Sequence, residues 1–159
     1  MDMGTVAYTA GFIDGEGTIT ANYRMSARGF PALHYRVLIA NTDLTALERL
    51  QKEWGGRLSL YGKKRSEKHK QVYGIYWGGD TCLPLIEAIL PFLRIKKRQA
   101  EIVLLLSKLK SHYEKGKQGR FVSDEVKQAR VSLVEEMVKL NHRGMNNPDT
   151  HLGRKPALP

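Results

Sequence analysis

The chain has 159 residues, enough for one domain with a core of its own. Its 26 Lys and Arg against 16 Asp and Glu leave a formal charge of +10, an excess that favours a polyanionic partner, nucleic acid before membrane. No apolar run approaches the roughly 20 residues that span a bilayer, no basic stretch followed by an apolar one suggests a signal peptide near residue 1, and the lone Cys82 excludes an internal disulfide and reads as a core residue in a reducing compartment.

Met3 to Ile13 is short and helical in pattern. Thr18 to about Arg24 alternates, as does Leu33 to Asn41, and Arg28-Gly29-Phe30-Pro31 between them is turn chemistry, so the two make a hairpin with one apolar face. Thr42 or Asp43 caps a helix with Leu44, Leu47, Leu50 and Trp54 at helical spacing, which Gly55-Gly56 stops. Arg57 to Tyr61 and Val72 to Trp77 form a second hairpin across a strongly basic turn. A helix from Thr81 to Leu90 tolerates Pro84 in its first turn and ends at Pro91. Lys96 to about Glu114 is a long helix, a Lys/Gly/Gln turn follows, and Ser123 to Leu140 is a last amphipathic helix. Residues 141–159 are polar with three prolines and read as a loose tail. The expectation is one α+β domain over 1–140 in the order αββαββα, with a core of about 5–110 and a helical extension over 111–140. No Cys/His set has zinc-ligand spacing, so His69, His112, His142 and His151 read as surface residues.

The most informative segment is Thr9-Ala10-Gly11-Phe12-Ile13-Asp14-Gly15-Glu16-Gly17. It reads as a helix that delivers a carboxylate to its own C-terminal end and then turns into a strand. The helix dipole makes that end negative, so a positive group should compensate, and a divalent cation is the natural candidate. Gly11 and Gly15 fall on one helix face, a spacing that lets another backbone approach closely.

This nonamer resembles the signature of the LAGLIDADG homing endonucleases at Ala10, Gly11, Ile13, Asp14 and Gly17, with Thr9 in place of the first leucine as the one departure. The element order is that family's too. The resemblance implies a site-specific double-strand DNA endonuclease of a mobile intron, leaving 3′ overhangs. Glu16 is then the metal-binding acid, with the Gly15 carbonyl beside it, while Asp14 is expected to cap the helices at the interface; Mg²⁺ is the expected ion, though Mn²⁺ or Ca²⁺ suits the same oxygen donors. Pro91-Phe92-Leu93-Arg94-Ile95-Lys96 matches the family's proline-aromatic-leucine step, so Lys96 is expected to polarise solvent or stabilise phosphate charge. Asn41, at the end of the second strand, is the expected polar partner, or else only a turn residue. Members with one motif form homodimers, which here places Thr9, Ala10, Gly11, Ile13, Asp14 and Gly15 at the interface and predicts a long pseudo-palindromic target.

Strand alternation leaves one sheet face for double-stranded DNA. Opposite the apolar Ile19, Ala21 and Tyr23 stand Thr20, Asn22 and Arg24. The second strand offers His34, Arg36 and Leu38, and the third Ser59 and Tyr61 opposite Leu58 and Leu60. Such side chains read base edges in the major groove, into which an antiparallel ribbon fits. Lys63, which continues the polar side of the third strand, shares one turn with Lys64, Arg65, Lys68 and Lys70, where they would meet phosphates, and Arg28 of the first turn is a further DNA-binding candidate. Tyr73, Ile75 and Trp77 leave the facing of the fourth strand open. An RNA maturase and a non-cleaving DNA-binding regulator are the competing functions, the first of which would make RNA a partner.

Overall fold

The computed structural model describes residues 2–25, 31–62, 68–110, 114–116 and 119–142. In chain order these form α1 (Met3–Glu16), β1 (Gly17–Met25), β2 (Pro31–Asn41), α2 (Leu44–Trp54), β3 (Arg57–Leu60), β4 (Tyr73–Gly78), a 3₁₀ turn (Gly79–Cys82), α3 (Leu83–Ile89), α4 (Lys97–Lys110), β5 (Glu114–Gly116), β6 (Gly119–Phe121) and α5 (Asp124–Asn141). Strands β1 to β4 make one sheet in the order β1-β2-β4-β3, and β5 pairs antiparallel with β6. The αββαββα order is therefore present, followed by a helical extension. α4 is shorter than its sequence pattern suggests, and a small hairpin stands where a plain turn was expected. No helix among the described residues is long and apolar enough to cross a membrane.

The helix boundaries follow local chemistry. Asp2 caps α1 by accepting from the Thr5 backbone N–H at 3.0 Å and from Thr5 Oγ1 at 2.6 Å. Asp43 caps α2 in the same way, accepting from Ala46 N at 3.1 Å. Gly55, at φ 66°, ends that helix in a conformation a side chain would strain. Gly17 ends α1 for a steric reason instead: a Cβ there would lie 2.8 Å from the Cα and carbonyl oxygen of Ile13. The last glycine of the nonamer thus allows helix to become strand without a connecting loop.

The chain gathers into two compact units, one of Met1–Ile19 with Arg36–Glu101, the other of Thr20–Tyr35 with Ile102–Pro159. In the first, register pairs Val37 with Trp77, Ile39 with Ile75 and Leu58 with Ile75, so these side chains share one sheet face. Val37, Ile39, Ile75 and Trp77 are buried with Ala10, Ile13, Leu47, Leu50, Leu85, Ile86 and Ile89. This settles the fourth strand: Ile75 and Trp77 face the core, and Tyr76 faces the other way. Leu60 departs from its expected inward place and is 66% exposed, because it closes the short edge strand β3 beyond the end of the core.

A polar chain runs through that apolar interior. The Trp77 indole N–H donates to the Trp54 carbonyl at 3.0 Å, the Trp54 indole N–H to Thr9 Oγ1 at 3.0 Å, and Thr9 Oγ1 to the Thr5 carbonyl at 2.8 Å. Thr9, wholly buried, is both acceptor and donor, a pair of roles leucine cannot fill. The departure of the nonamer from its family pattern has this structural reason.

In the second unit Ala21, Tyr35, Ile102, Val103, Leu106, Val134 and Met137 are buried. Ser123 caps α5, with Asp124 and Glu125 in its first turn where the helix dipole favours negative charge. Arg130 Nη2 donates to the Leu109 carbonyl at 2.5 Å, tying α5 to the last turn of α4.

Candidate functional site

The site is built at the C-terminal end of α1, inside the first unit. Asp14, Gly15 and Glu16 form the last turn of that helix, where carbonyls lack intrahelical partners and the dipole is negative. The Asp14 carboxylate is compensated within the chain. Its Oδ2 accepts from the backbone N–H groups of Arg94 at 2.7 Å and Ile95 at 3.2 Å, and its Oδ1 from that of Lys96 at 2.9 Å. The Lys96 ammonium donates to the Asp14 backbone carbonyl. The positive group that the sequence called for beside this acid is therefore a strap of three amides and a lysine, and no divalent cation is needed at Asp14.

Electrostatics follow the same geometry. Burial pushes the Asp14 carboxyl up, but the amides of Arg94, Lys96 and Ile95 and the Lys96 charge outweigh it and hold the group below the usual carboxylate range. Stability from Asp14 is therefore fully present above its ordinary value of 3.8 and is lost as the pH falls through its lower folded value. Burial lowers the Lys96 pKa, against the opposing pull of Asp14 and Glu16.

The strap predicts the behaviour of Asp14→Asn. The amide keeps the shape, but its NH₂ must face at least one backbone N–H that now has no acceptor. We expect a loss of stability of about 1–3 kcal/mol, read as a lower urea midpoint with an unchanged m-value. An unaltered midpoint would contradict the strap.

Glu16 is exposed at the helix end and forms no hydrogen bond among the described residues, with Lys96 as an electrostatic neighbour. Gly15 is exposed beside it. The structure thus brings Glu16, Gly15, Asp14 and Lys96 together. Asn41 Oδ1 accepts from Asp43 N at 2.9 Å in a turn that opens α2, and the residue pairs with Tyr73 on the parity of the inward Val37 and Ile39.

The six residues expected at a dimer interface divide by helix phase. Thr9, Ala10 and Ile13 are wholly buried in the chain's own core and present nothing to a partner. This corrects their interface assignment: three and four residues apart, they form the inward stripe of α1. Gly11 and Gly15 are exposed, Asp14 is half-buried, and Tyr8 and Phe12 lie on the same outer side with ring centroids 5.8 Å apart. A Cβ at Gly11 or Gly15 would meet nothing within 4 Å.

The expected DNA-facing residues sort by unit. In the first, Arg36, Ser59 and Tyr61 are exposed and Leu38 is half-buried. Two further polar residues share the outer face of that sheet. Arg57 is exposed on β3, and Tyr76, directly opposite on β4, accepts a hydrogen bond from Arg57 Nη1 at 3.3 Å. The two-residue spacing of Arg57, Ser59 and Tyr61 is the signal that would have found the arginine. In the second unit Asn22, Arg24 and His34 are exposed and Thr20 is half-buried. Arg28, Lys63, Lys64 and Arg65 lie outside the described residues, whereas Lys68 and Lys70 of the basic turn are exposed.

No protein-family model matches the sequence, and no curated protein does. Solved structures match closely in shape. The homing endonuclease I-CvuI, in complex with the I-CreI target, is 21% identical, with a TM-score of 0.67 over 86% of this chain and 81% of that one. The archaeal intron-encoded homing endonuclease I-Vdi141I, complexed with DNA, is 17% identical, with a TM-score of 0.67 over 86% of this chain and 84% of that one. The LAGLIDADG homing endonuclease I-SmaMI, bound to cleaved DNA, is 16% identical at a TM-score of 0.60; the match takes in 97% of this chain and 53% of that one. With the nonamer at the end of α1, the αββαββα order and the four-stranded sheet already in place, this protein has the fold of the LAGLIDADG homing endonucleases.

Proposed function

We propose that the chain is a site-specific, divalent-metal-dependent DNA endonuclease that works as a homodimer, cuts a long pseudo-palindromic duplex and leaves 3′ overhangs. The observation that carries this reading is the contrast between two acids on one helical turn. Asp14 is spent on the strap, and Glu16, two residues on, stands exposed with Lys96 beside it. The similar solved structures I-CvuI and I-Vdi141I are DNA complexes, the former solved with Mg or with Ca, which supports the same reading.

The donors fit a hard cation. An exposed carboxylate and a helix-terminal carbonyl are oxygen ligands of the kind that Mg²⁺ takes one or two at a time while keeping its waters. Glu16 and the Gly15 carbonyl would hold it. A bound divalent cation supplies charge neutralisation at the attacked phosphate and a water acidified enough to attack it. The chain's own residues do the rest. The strap fixes the end of α1, so that Glu16 projects from a rigid base. Lys96 Nζ keeps two N–H groups beyond its bond to Asp14, enough to meet a phosphate oxygen or an ordered water. One chain brings one such exposed acid at α1, a duplex has two strands, and the open Gly11/Gly15 face gives a second copy a place to pack.

Incubating the protein with a randomised duplex library and Mg²⁺ and sequencing the cut ends tests the reading. We expect paired breaks with a fixed 3′ stagger inside a near-palindromic consensus. Retained but uncut duplexes would indicate the regulator instead, and preference for a folded RNA the maturase. Lys96→Met should slow cleavage less than loss of Glu16, because the lysine acts on solvent and phosphate rather than on the ion. Single-turnover rates at saturating Mg²⁺ measure this, and an unchanged rate would remove Lys96 from the reaction.

A further inference from the structure

The outer face of the first unit has a regular layout. Register aligns Leu38, Tyr76 and Arg57 in one row across β2, β4 and β3, and Ala40, Gly74 and Ser59 in the next. The rows lie about 7 Å apart, two residues of strand rise. Tyr61 lies over the second row, its ring 3.0 Å from where a Gly74 Cβ would stand.

In the first row Arg57 is held before any ligand arrives. Its Nη1 donates to the Tyr76 hydroxyl at 3.3 Å, and its guanidinium carbon lies 5.9 Å from the centre of that ring. It makes no ion pair among the described residues. Ordering a long side chain on binding costs entropy, and an arginine already docked on a cross-strand tyrosine avoids much of it. After the bond to Tyr76, four of its five N–H groups stay available in a planar fork. The guanine edge in the major groove presents two acceptors, N7 and O6, that match this fork. Leu38, apolar and half-buried at the other end of the row, suits a base edge or a thymine methyl better than a phosphate.

We propose that Arg57 selects a guanine at one position of each half-site and that Tyr76 is its positioning residue. This rests on the reading of the outer sheet face as the DNA-binding surface.

The test is binding selection from a randomised duplex library by the full chain and by Arg57→Ala, Arg57→Lys and Tyr76→Phe, with the bound fraction sequenced and affinity followed against salt. The original chain should select guanine at one position per half-site. Arg57→Ala should flatten that position by about fivefold to a hundredfold and leave the others unchanged. Arg57→Lys keeps the charge but loses the fork, and should also flatten it. Tyr76→Phe keeps the ring and removes the acceptor, and should weaken preference at that same position alone. Equal weakening of all sequences by Arg57→Ala, with the salt slope reduced by about one, would make Arg57 a phosphate contact and overturn the assignment. Intact preference in Tyr76→Phe would overturn the positioning role. A chain that selects duplexes without guanine at any position that depends on Arg57 would overturn this inference alone. One that selects no duplex at all would overturn the DNA reading with it.

Discussion

Glu16→Gln should leave binding of the selected duplex within a fewfold of the original and reduce cleavage in Mg²⁺ by orders of magnitude. On the proposed reading affinity comes from the sheet and the basic turns, none of which the substitution touches. Glutamine keeps the shape of the side chain but removes the charge that would hold a hard cation, and charge neutralisation and water activation both depend on that cation. Glu16 is exposed and free of hydrogen bonds among the described residues, so the fold should not register the change. Gel retardation and single-turnover cleavage on the same preparation separate the two effects. A mixed dimer with one altered subunit sharpens the result: impaired cutting of both strands means shared ions, and a single nick means independent sites. Near-normal cleavage by the homodimeric variant would remove Glu16 from the mechanism and favour a regulator.

Gly11→Leu should yield a folded monomer that has lost tight DNA binding. Nothing in the chain lies within 4 Å of a Cβ at Gly11, so leucine meets no internal clash. Replacing a mid-helix glycine by leucine also favours the helix by roughly 0.5–1 kcal/mol. The thermal midpoint of the isolated subunit should therefore hold or rise. A second copy packed backbone to backbone along Gly11 and Gly15 has no room for that side chain. Sedimentation at micromolar concentration reads the association state. If Gly11→Leu still sediments as a dimer and cleaves, the interface is not this face.

The first hairpin and the nonamer were legible for physical reasons. A sheet with one wet face alternates, so the inward Ile19, Ala21, Tyr35, Val37 and Ile39 stand out against Asn22, Arg24, His34 and Arg36. Asp43 as a cap is local chemistry and was equally visible. The phase of α1 was not, because Val6, Ala7, Tyr8, Phe12 and Ile13 surround the helix with apolar side chains and leave no polar stripe to mark its outer side. Its true phase depends on a partner far along the chain, the Trp54 indole that needs Thr9. The same holds for Asp14: nothing around residues 9–17 announces that amides at 94–96 will occupy its carboxylate. Tyr76 was not legible in the same way as Arg57, because β4 carries aromatic residues on both parities and only register resolves which of them face outward.

The strap has a consequence for the newborn chain. Asp14 and the amides that hold it are 80 to 82 residues apart, with β1, β2, α2, β3, β4 and α3 between them. Contacts this distant in sequence carry the largest loop-closure cost and form only when the intervening elements give the loop its shape. Residues 94–96 must also have left the ribosome. A nascent or truncated chain can therefore display Glu16 without the lysine and the rigid base beside it. Under the proposed function folding order acts as a safety catch: the site at the end of α1 is completed only after the framework of the first compact unit is in place.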